Sequence, residues 1–346
     1  MAFVSIPSVV FPHHVVTKGD VERHYRAVYG DEPDFEKYTN VLQAANVSTR
    51  HLAISLEEVR QQRNSFKFTQ YAVSVDLAAR ASEKALSEAG LAASQVDLLI
   101  VSSSSSYSLP GLDAELVNHL HLRPNVRRLT VAQAGCAGGV SALIQAMDYL
   151  RAYPDARILI TCVDLFGSAF FANSDRDMGT MVFRSLFGDG AGACVISRIG
   201  DTGLQLLDEW QHTLPQSQHY LRCRMSRGEL QVLSNRDLAR APHAVAPHLK
   251  AWMSTFEEWN VRRPGFLLAH PGGPRILEGL TEQLGLDQTN TTHSWASLQE
   301  NGNLASVSIL DVIRRTYLMS PKPGSDGLLI AFGPGFTTAA IRALWL

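Results

Sequence analysis

Three residues of this chain have surroundings that suit chemistry: a cysteine, a histidine and an asparagine. Cys136 lies in Gln133-Ala-Gly-Cys-Ala-Gly-Gly139, after a strand pattern over Arg128 to Ala132. Beyond it, Val140, Leu143, Ile144, Met147 and Leu150 recur at helical spacing, so the pattern predicts a helix from Ala137 to Tyr153. A helix starting beside a thiol turns unpaired N–H groups and its positive dipole end toward the sulfur, lowering a pKa of about 8.5 toward ~4 to 7.5. A free cysteine is more often a small buried hydrophobe, so the other two residues decide. His270 ends the apolar run Phe266-Leu-Leu-Ala269 and opens His-Pro-Gly-Gly-Pro274. It therefore sits at the C-terminal end of a buried strand, where α/β proteins form ligand clefts. Asn303 lies in Gly302-Asn-Leu-Ala-Ser306. A thiolate kept ionised by an imidazole attacks a thioester carbonyl. Imidazole and amide together offer two donors to one oxyanion, as a developing enolate requires. This chemistry needs no carboxylate, and Asp164 and Asp189 read as residues that bond backbone N–H groups at a strand end and a turn.

The elements that must position these groups form an internal repeat. Strand Val96 to Val101 has a counterpart in Phe266 to Ala269, and Gly135-Cys136 with Val140-Ser141 corresponds to Gly302-Asn303 with Val307-Ser308. Each pair opens a helix, Ala137 to Tyr153 and Leu304 to Tyr317, and each helix leads to a buried strand, Arg157 to Val163 and Gly327 to Phe332. Two such units imply a pseudo-twofold pair of halves, 1–200 and 201–346, with Cys136 facing Asn303 near the axis. Elsewhere the pattern predicts a strand within Phe3 to Val10, and helices over Gly19 to Val28, Phe35 to Ala45 and Phe66 to Gly90. Further helices are expected over Gly111 to Leu122, Ala244 to Val261 and Ile276 to Leu284. Ala156 to Asp164 is a continuous apolar run of the kind covered on both faces. Weak alternation from Gly203 to Arg240 predicts antiparallel strands. Phe187 to Ile196 reads as a tight turn entering a strand, since its glycines lack phosphate-binding spacing.

At 346 residues, 45 % hydrophobic and 18 % charged, the chain can bury a large core. A formal charge of -2 argues against nucleic-acid binding. The basic clusters Arg123 to Arg128 and Arg262-Arg263 read as solvated turns. Cys136, Cys162, Cys194 and Cys223 are widely spaced, against a zinc site or a disulfide framework, so no metal is expected. No apolar run reaches ~18 residues, and Met1 to Pro7 lacks the features of a signal peptide. The expectation is a cytoplasmic protein with no membrane contact.

Five motifs in order, Gln-Ala-Gly-Cys136-Ala-Gly-Gly, Leu186-Phe-Gly-Asp-Gly-Ala191, His270-Pro-Gly-Gly-Pro, Gly-Asn303-Leu-Ala-Ser and Phe332-Gly-Pro-Gly335, resemble type III polyketide synthases of the chalcone synthase type. The resemblance runs from about Tyr71 to the C-terminus. It implies a thiolase fold, a duplicated five-layer αβαβα architecture, usually a homodimer with no cofactor beyond its thioester substrates. In that family the cysteine carries an acyl group, and the histidine and asparagine promote decarboxylation of a malonyl thioester whose enolate attacks it. By position, Phe187 matches an aromatic gate. Ser104, Phe166, Ala169 and Ala305 fall where the acyl cavity is shaped, and Leu109 where the partner subunit's pocket is reached. Plain core packing is the competing explanation for each.

One departure concerns substrate delivery. Where plant members place basic residues for coenzyme A phosphates, this chain has Tyr38, Val41 and Ala45. Either Arg50, Lys37 or Arg275 replaces them, with Arg275 preferred, or acyl groups arrive on an acyl carrier protein. The reading is thus a condensing enzyme giving a polyketide such as a pyrone or resorcinol. Its alternatives are a carrier-dependent ketosynthase joining two β-ketoacyl chains to a pyrone, and β-ketoacyl carrier protein synthase III. A papain-like hydrolase shares the Cys, His, Asn order but needs paired cysteines and a cysteine near the mature N-terminus. A silent binding protein would not need all three residues.

Overall fold

The computed structural model describes residues 2–61, 66–226, 229–261 and 263–346, so Met1 and Arg262 fall outside it. Strand pairing separates the two halves. Leu98–Ser103 lies parallel to both Arg127–Ala132 and Ile158–Asp164, and Gly190–Ser197 runs antiparallel beside the latter. In the second half, Phe266–Ala269 pairs in parallel with Ser325–Gly333, followed by antiparallel Thr337–Trp345 and Leu204–Thr213. Ala2–Val4 pairs with both Gly190–Ser197 and Leu204–Thr213, joining the halves into one sheet of ten strands.

Alternate side chains of these strands feed different cores, as the two-residue period of a strand dictates. Ile100, Ile158, Ile160, Phe266 and Leu268 face inward, onto Leu143, Ile144 and Met147 of helix Gly138–Ala152 and onto Ile309, Leu310 and Ile313 of helix Ser308–Leu318. Leu99, Val101, Leu159 and Val163 face outward, onto Leu77, Ala81 and Ala85 of helix Phe66–Glu88 and Leu116 of helix Leu112–His119. Leu267, Ala269, Leu328 and Ile330 pack outward in the other half, on helices Ala241–Met253 and Pro274–Leu284. The layer order is therefore helix, strand, helix, strand, helix, the five-layer α/β arrangement that the family resemblance implies.

The central helices open alike, each behind a short 3₁₀ turn, Gly135–Ala137 and Ala305–Val307. They touch where Gly139 lies on the Ser306 carbonyl and the Ile309 side chain, so closely that a Cβ there would overlap both. That contact requires glycine and brings the two helix starts together.

Several details differ from the sequence reading. The strand read over Arg128 to Ala132 spans Arg127–Ala132 and is an edge strand, with Arg127, Arg128, Thr130 and Val131 exposed or half-exposed, because it pairs on one side alone. Arg127 and Arg128 accordingly lie on this strand, not in a turn. The helix expected over 244–261 divides into Ala241–Met253 and Glu257–Val261. Between them the Ser254 and Thr255 hydroxyls donate to the Ala251 and Trp252 carbonyls, which competes with continued helix. The region 203–240 does hold antiparallel strands, Leu221–Ser226 against Glu229–Ser234 in a separate hairpin. Helices Phe166–Ala172, Met178–Leu186 and Thr292–Asn301, the strand pair His14–Thr17 with Thr49–Leu52, and strand Thr337–Trp345 had no sequence counterpart. Among the described residues no helix is long and apolar enough to cross a membrane.

Candidate active site

Cys136 is presented by a turn that folds only with special backbone. Gln133 and Gly135 adopt φ of 60° and 54°, in the left-handed region, and a side chain at 135 would also press on Pro334. The Gly135 N–H donates to Ser104 Oγ at 2.9 Å. Ser104 and Ser105 in turn donate their backbone N–H groups to Asp164 Oδ1, at 2.9 and 3.0 Å. The other Asp164 oxygen accepts from Ser306, from its N–H at 3.2 Å and its hydroxyl at 2.5 Å. One buried carboxylate thus ties the turn of Cys136 to the turn of Asn303, across the two halves. Asp189 likewise accepts from the N–H groups of Ala53 and Ser168. Both aspartates are structural, as read from the sequence, and burial pushes both up to about 6 against the pull of these donors.

Asn303 is aimed by its main chain. Its N–H donates to the Leu186 carbonyl at 2.8 Å and its carbonyl accepts from Gly188 N–H at 3.1 Å, forming a parallel bridge with Phe187. The side-chain Oδ1 accepts from Ala305 N–H at 2.8 Å, which fixes the amide orientation. Nδ2 is then left 3.4 Å from the Gly272 carbonyl and 3.8 Å from Cys136 Sγ. The predicted meeting of Cys136 and Asn303 is therefore present. His270 leaves strand Phe266–Ala269 with its N–H on the Ile330 carbonyl at 2.8 Å, and its own carbonyl closes a tight turn with Gly272 N–H at 2.9 Å. Its ring is buried, and neither ring nitrogen has a hydrogen-bond partner among the described residues.

The electrostatics differ from expectation. Burial pushes the Cys136 thiol up to about 12, the Asn303 hydrogen bond opposing and the Asp164 charge assisting. Burial also pulls His270 down to about 3. A helix start favours thiolate, but here desolvation outweighs it, so the resting pair is a neutral thiol with a neutral imidazole. A neutral imidazole can still take a proton from sulfur as attack occurs, and can donate one N–H to an oxyanion.

Aromatic rings wall the thiol. Phe166 and Phe170 stack at 5.6 Å, Phe183 and Phe187 at 5.2 Å, and Phe187 meets Phe166 and Phe170 edge-on at 5.8 and 5.2 Å. Ala305 and Val232 complete this cluster, with Cys136 against it. Of the expected cavity residues, Phe187, Phe166 and Ala305 are therefore beside the cysteine. Ala169 is buried on the same helix as Phe166 but outside the cluster, and the Ser104 hydroxyl is occupied by Gly135. Leu109 is 94 % exposed and lines nothing in this protomer. Sequence reasoning missed Phe170, Phe183 and Val232; the spacings Phe166 to Phe170 and Phe183 to Phe187, four residues each, were the available signal.

The replacement cations separate clearly. Arg50 is fully buried, so it cannot meet a phosphate at the surface, and the expectation for it is withdrawn. Lys37 is exposed and paired with Asp34 at 2.6 Å. Arg275 is exposed in the first turn of helix Pro274–Leu284, just beyond the His270 turn. Tyr38 and Ala45 are buried. A cavity of about 280 Å³ opens between helices Lys18–Tyr29 and Leu56–Gln61 and residues 171–176, and none of the three candidate catalytic residues lines it. Among the described residues no group of three or more His, Cys, Asp or Glu is placed to hold a metal ion.

Comparison with known proteins agrees with this geometry. Residues 3–199 match the model of the chalcone and stilbene synthase N-terminal domain, and residues 205–344 that of the C-terminal domain. A phloroglucinol synthase of Pseudomonas fluorescens is 29 % identical, covering 100 % of this chain and 99 % of its own. A 1,3,6,8-tetrahydroxynaphthalene synthase of Streptomyces coelicolor is 30 % identical, over 100 % of this chain and 92 % of its own. The crystal structure of the Streptomyces coelicolor tetrahydroxynaphthalene synthase, a bacterial type III polyketide synthase, superimposes with a TM-score of 0.91 over 99 % of both chains at 29 % identity. With both domain models matched along nearly its whole length, the chain belongs to the chalcone and stilbene synthase family, and it is a condensing enzyme of the type III polyketide synthase kind.

Proposed function

We propose that this protein joins an acyl thioester to a malonyl-type thioester by decarboxylative Claisen condensation through an acyl-Cys136 intermediate. The observation that carries the reading is the Asn303 amide, 3.8 Å from Cys136 Sγ, with the unpartnered imidazole of His270 on the adjoining turn. His270 takes the Cys136 proton as sulfur bonds the acyl carbon, and the carrier thiol departs with that proton. A malonyl thioester then loses CO2. The enolate oxygen accepts from Asn303 Nδ2 and a His270 N–H, and the enolate carbon attacks the acyl carbon and expels the Cys136 thiolate. Burial of the imidazole keeps it neutral, the form that serves as donor in the second step. The product is a polyketide that closes to a pyrone or a phenolic ring.

The test is intact-mass measurement after exposure to acyl and malonyl thioesters, with CO2 collected. An acyl adduct on Cys136 together with CO2 release is expected; neither appearing would overturn the reading. A second reading, delivery by an acyl carrier protein, is favoured by one observation. Helix Phe35–Ala44 offers Lys37 alone as a cation, already paired with Asp34, and Arg50 is buried. Parallel reactions with coenzyme A and carrier-bound thioesters decide between them, and carrier preference would also support the joining of two β-keto chains. Assembly as a homodimer is part of the proposal, with the exposed Leu109 as the residue that reaches across.

A further inference from the structure

Arg50 and Arg184 are fully buried guanidinium groups whose hydrogen-bond acceptors among the described residues include no carboxylate. Arg184 uses all its nitrogens: Nε donates to the Phe170 carbonyl, Nη1 to the Tyr29 hydroxyl and Nη2 to the Asn173 carbonyl. Arg50 does not. Its Nη1 donates to the carbonyls of Arg184 at 2.7 Å and Phe187 at 3.3 Å, while Nε and Nη2 have no hydrogen-bond partner among the described residues. Those two carbonyls close helix Met178–Leu186, where the unpaired C=O groups and the negative dipole end collect. Burial lowers Arg50 to about 10, so it is still a cation at neutral pH.

The strand that carries Arg50 clamps both sides of the Asn303 bridge. Thr49 Oγ1 donates to the Glu300 carbonyl at 2.6 Å, and Asp189 N–H donates to the His51 carbonyl at 2.9 Å. Between them Gly188 packs on the Asn301 carbonyl and the Arg50 Cβ so closely that a side chain would collide. A buried cation with unmatched donors is a costly way to satisfy two carbonyls. Its position accounts for it better than stability does.

We propose that Arg50 is a positioning residue: by holding the Arg184 and Phe187 carbonyls it fixes the main-chain bridge that aims the Asn303 amide at Cys136 and seats the Phe187 ring beside it. This rests on the function proposed above for Asn303.

The experiment compares wild type, Arg50→Met and Arg50→Lys in three measurements: amide exchange at Gly188 and Asn303, alkylation of Cys136 by iodoacetamide, and CO2 release from malonyl-coenzyme A and a malonyl carrier protein. In Arg50→Met, exchange at those two amides should quicken about tenfold as the bridge opens locally. Its decarboxylation kcat should fall about 10- to 100-fold with KM within about twofold, while Cys136 alkylation is kept or quickened as Phe187 loosens over the sulfur. Arg50→Lys, keeping a cation but only part of the geometry, should fall between. Wild-type exchange and decarboxylation in Arg50→Met, or equal loss of decarboxylation and alkylation, would overturn the proposal. If wild type releases no CO2 from either donor, the functional reading fails and the exchange measurement alone decides for Arg50. If Arg50→Met does not fold, Arg50→Lys decides: a loss confined to decarboxylation supports the proposal, and no loss or a parallel loss overturns it.

Discussion

Asp164 and Asp189 give the sharpest test of the electrostatics. Both are fully buried and both are raised from 3.8 to about 6, burial being the largest cause in each. Each carboxyl thus holds its proton more tightly in the folded chain than in the unfolded one. The stability it contributes is complete below about pH 3.8 and is lost as pH rises through about 6. A shift of about two pH units corresponds to ~3 kcal/mol per group. Carboxylates with lowered values, Asp20, Glu58 and Glu209, act in the opposite sense, but they lie at the surface or partly exposed, where ion pairs contribute ~0 to 1 kcal/mol. Urea unfolding of wild type, Asp164→Asn and Asp189→Asn from pH 4 to 8 measures the effect. The lowered imidazoles of His270, His51, His212 and His293 act in the opposite sense over this interval, so the aspartates are read by difference: wild-type stability relative to each asparagine variant should fall between about pH 4 and 6.5 and level off above. Wild-type stability that rises relative to the asparagine variants over the same interval would refute the argument. It would mean that the hydrogen bonds from Ser104, Ser105 and Ser306 outweigh desolvation.

Other consequences can be measured directly. Because burial holds the Cys136 thiol near 12, alkylation by iodoacetamide should be slow at pH 7 and climb about tenfold per pH unit toward pH 10; a rate already level below pH 8 would show an activated thiolate instead. Gly139→Ala drives a methyl into the Ser306 carbonyl and Ile309, and overpacking of this kind costs about 1–3 kcal/mol, visible as a Tm lower by several degrees; an unchanged Tm would mean the central helices separate freely. Asn303→Ala should leave acylation of Cys136 intact while CO2 release falls about 10²- to 10³-fold, the usual loss for one oxyanion donor. Equal loss of both steps would assign the asparagine to the thiol rather than to the enolate.

The parts of this molecule that the sequence discloses are those whose burial is uniform over several residues. Ile158–Asp164 and Phe266–Ala269 are buried at every position and largely apolar because both faces are covered, and helix Phe66–Glu88 has a clear stripe. Comparing the halves places Cys136 opposite Asn303, since both lie at the start of a central helix, Cys136 within its 3₁₀ turn and Asn303 just before the corresponding one. Helix Phe166–Ala172 escapes such reading: Phe-Gly-Ser-Ala-Phe-Phe-Ala is buried at six of its seven positions and so has no polar face to set a period. Arg50 escapes it too, because nothing in the residues around a single arginine tells a surface cation from one enclosed by a helix end 134 residues away.

The thiol shows the same limit at the level of chemistry. Its neighbours in sequence favour thiolate, yet the groups that desolvate it and aim at it, the phenylalanine cluster, Asn303 and the His270 turn, come mostly from distant segments. With burial pushing the sulfur up to about 12 and the imidazole down to about 3, a standing ion pair is disfavoured before any substrate arrives. Proton transfer is therefore tied to the arrival of the thioester. As sulfur bonds the carbonyl carbon its proton passes to His270 and the negative charge forms on substrate oxygen, not as free thiolate, while the Asn303 amide stays held near Cys136 and Gly272 for the enolate that follows. Neither half supplies this alone, since the sulfur belongs to the first and both donors to the second.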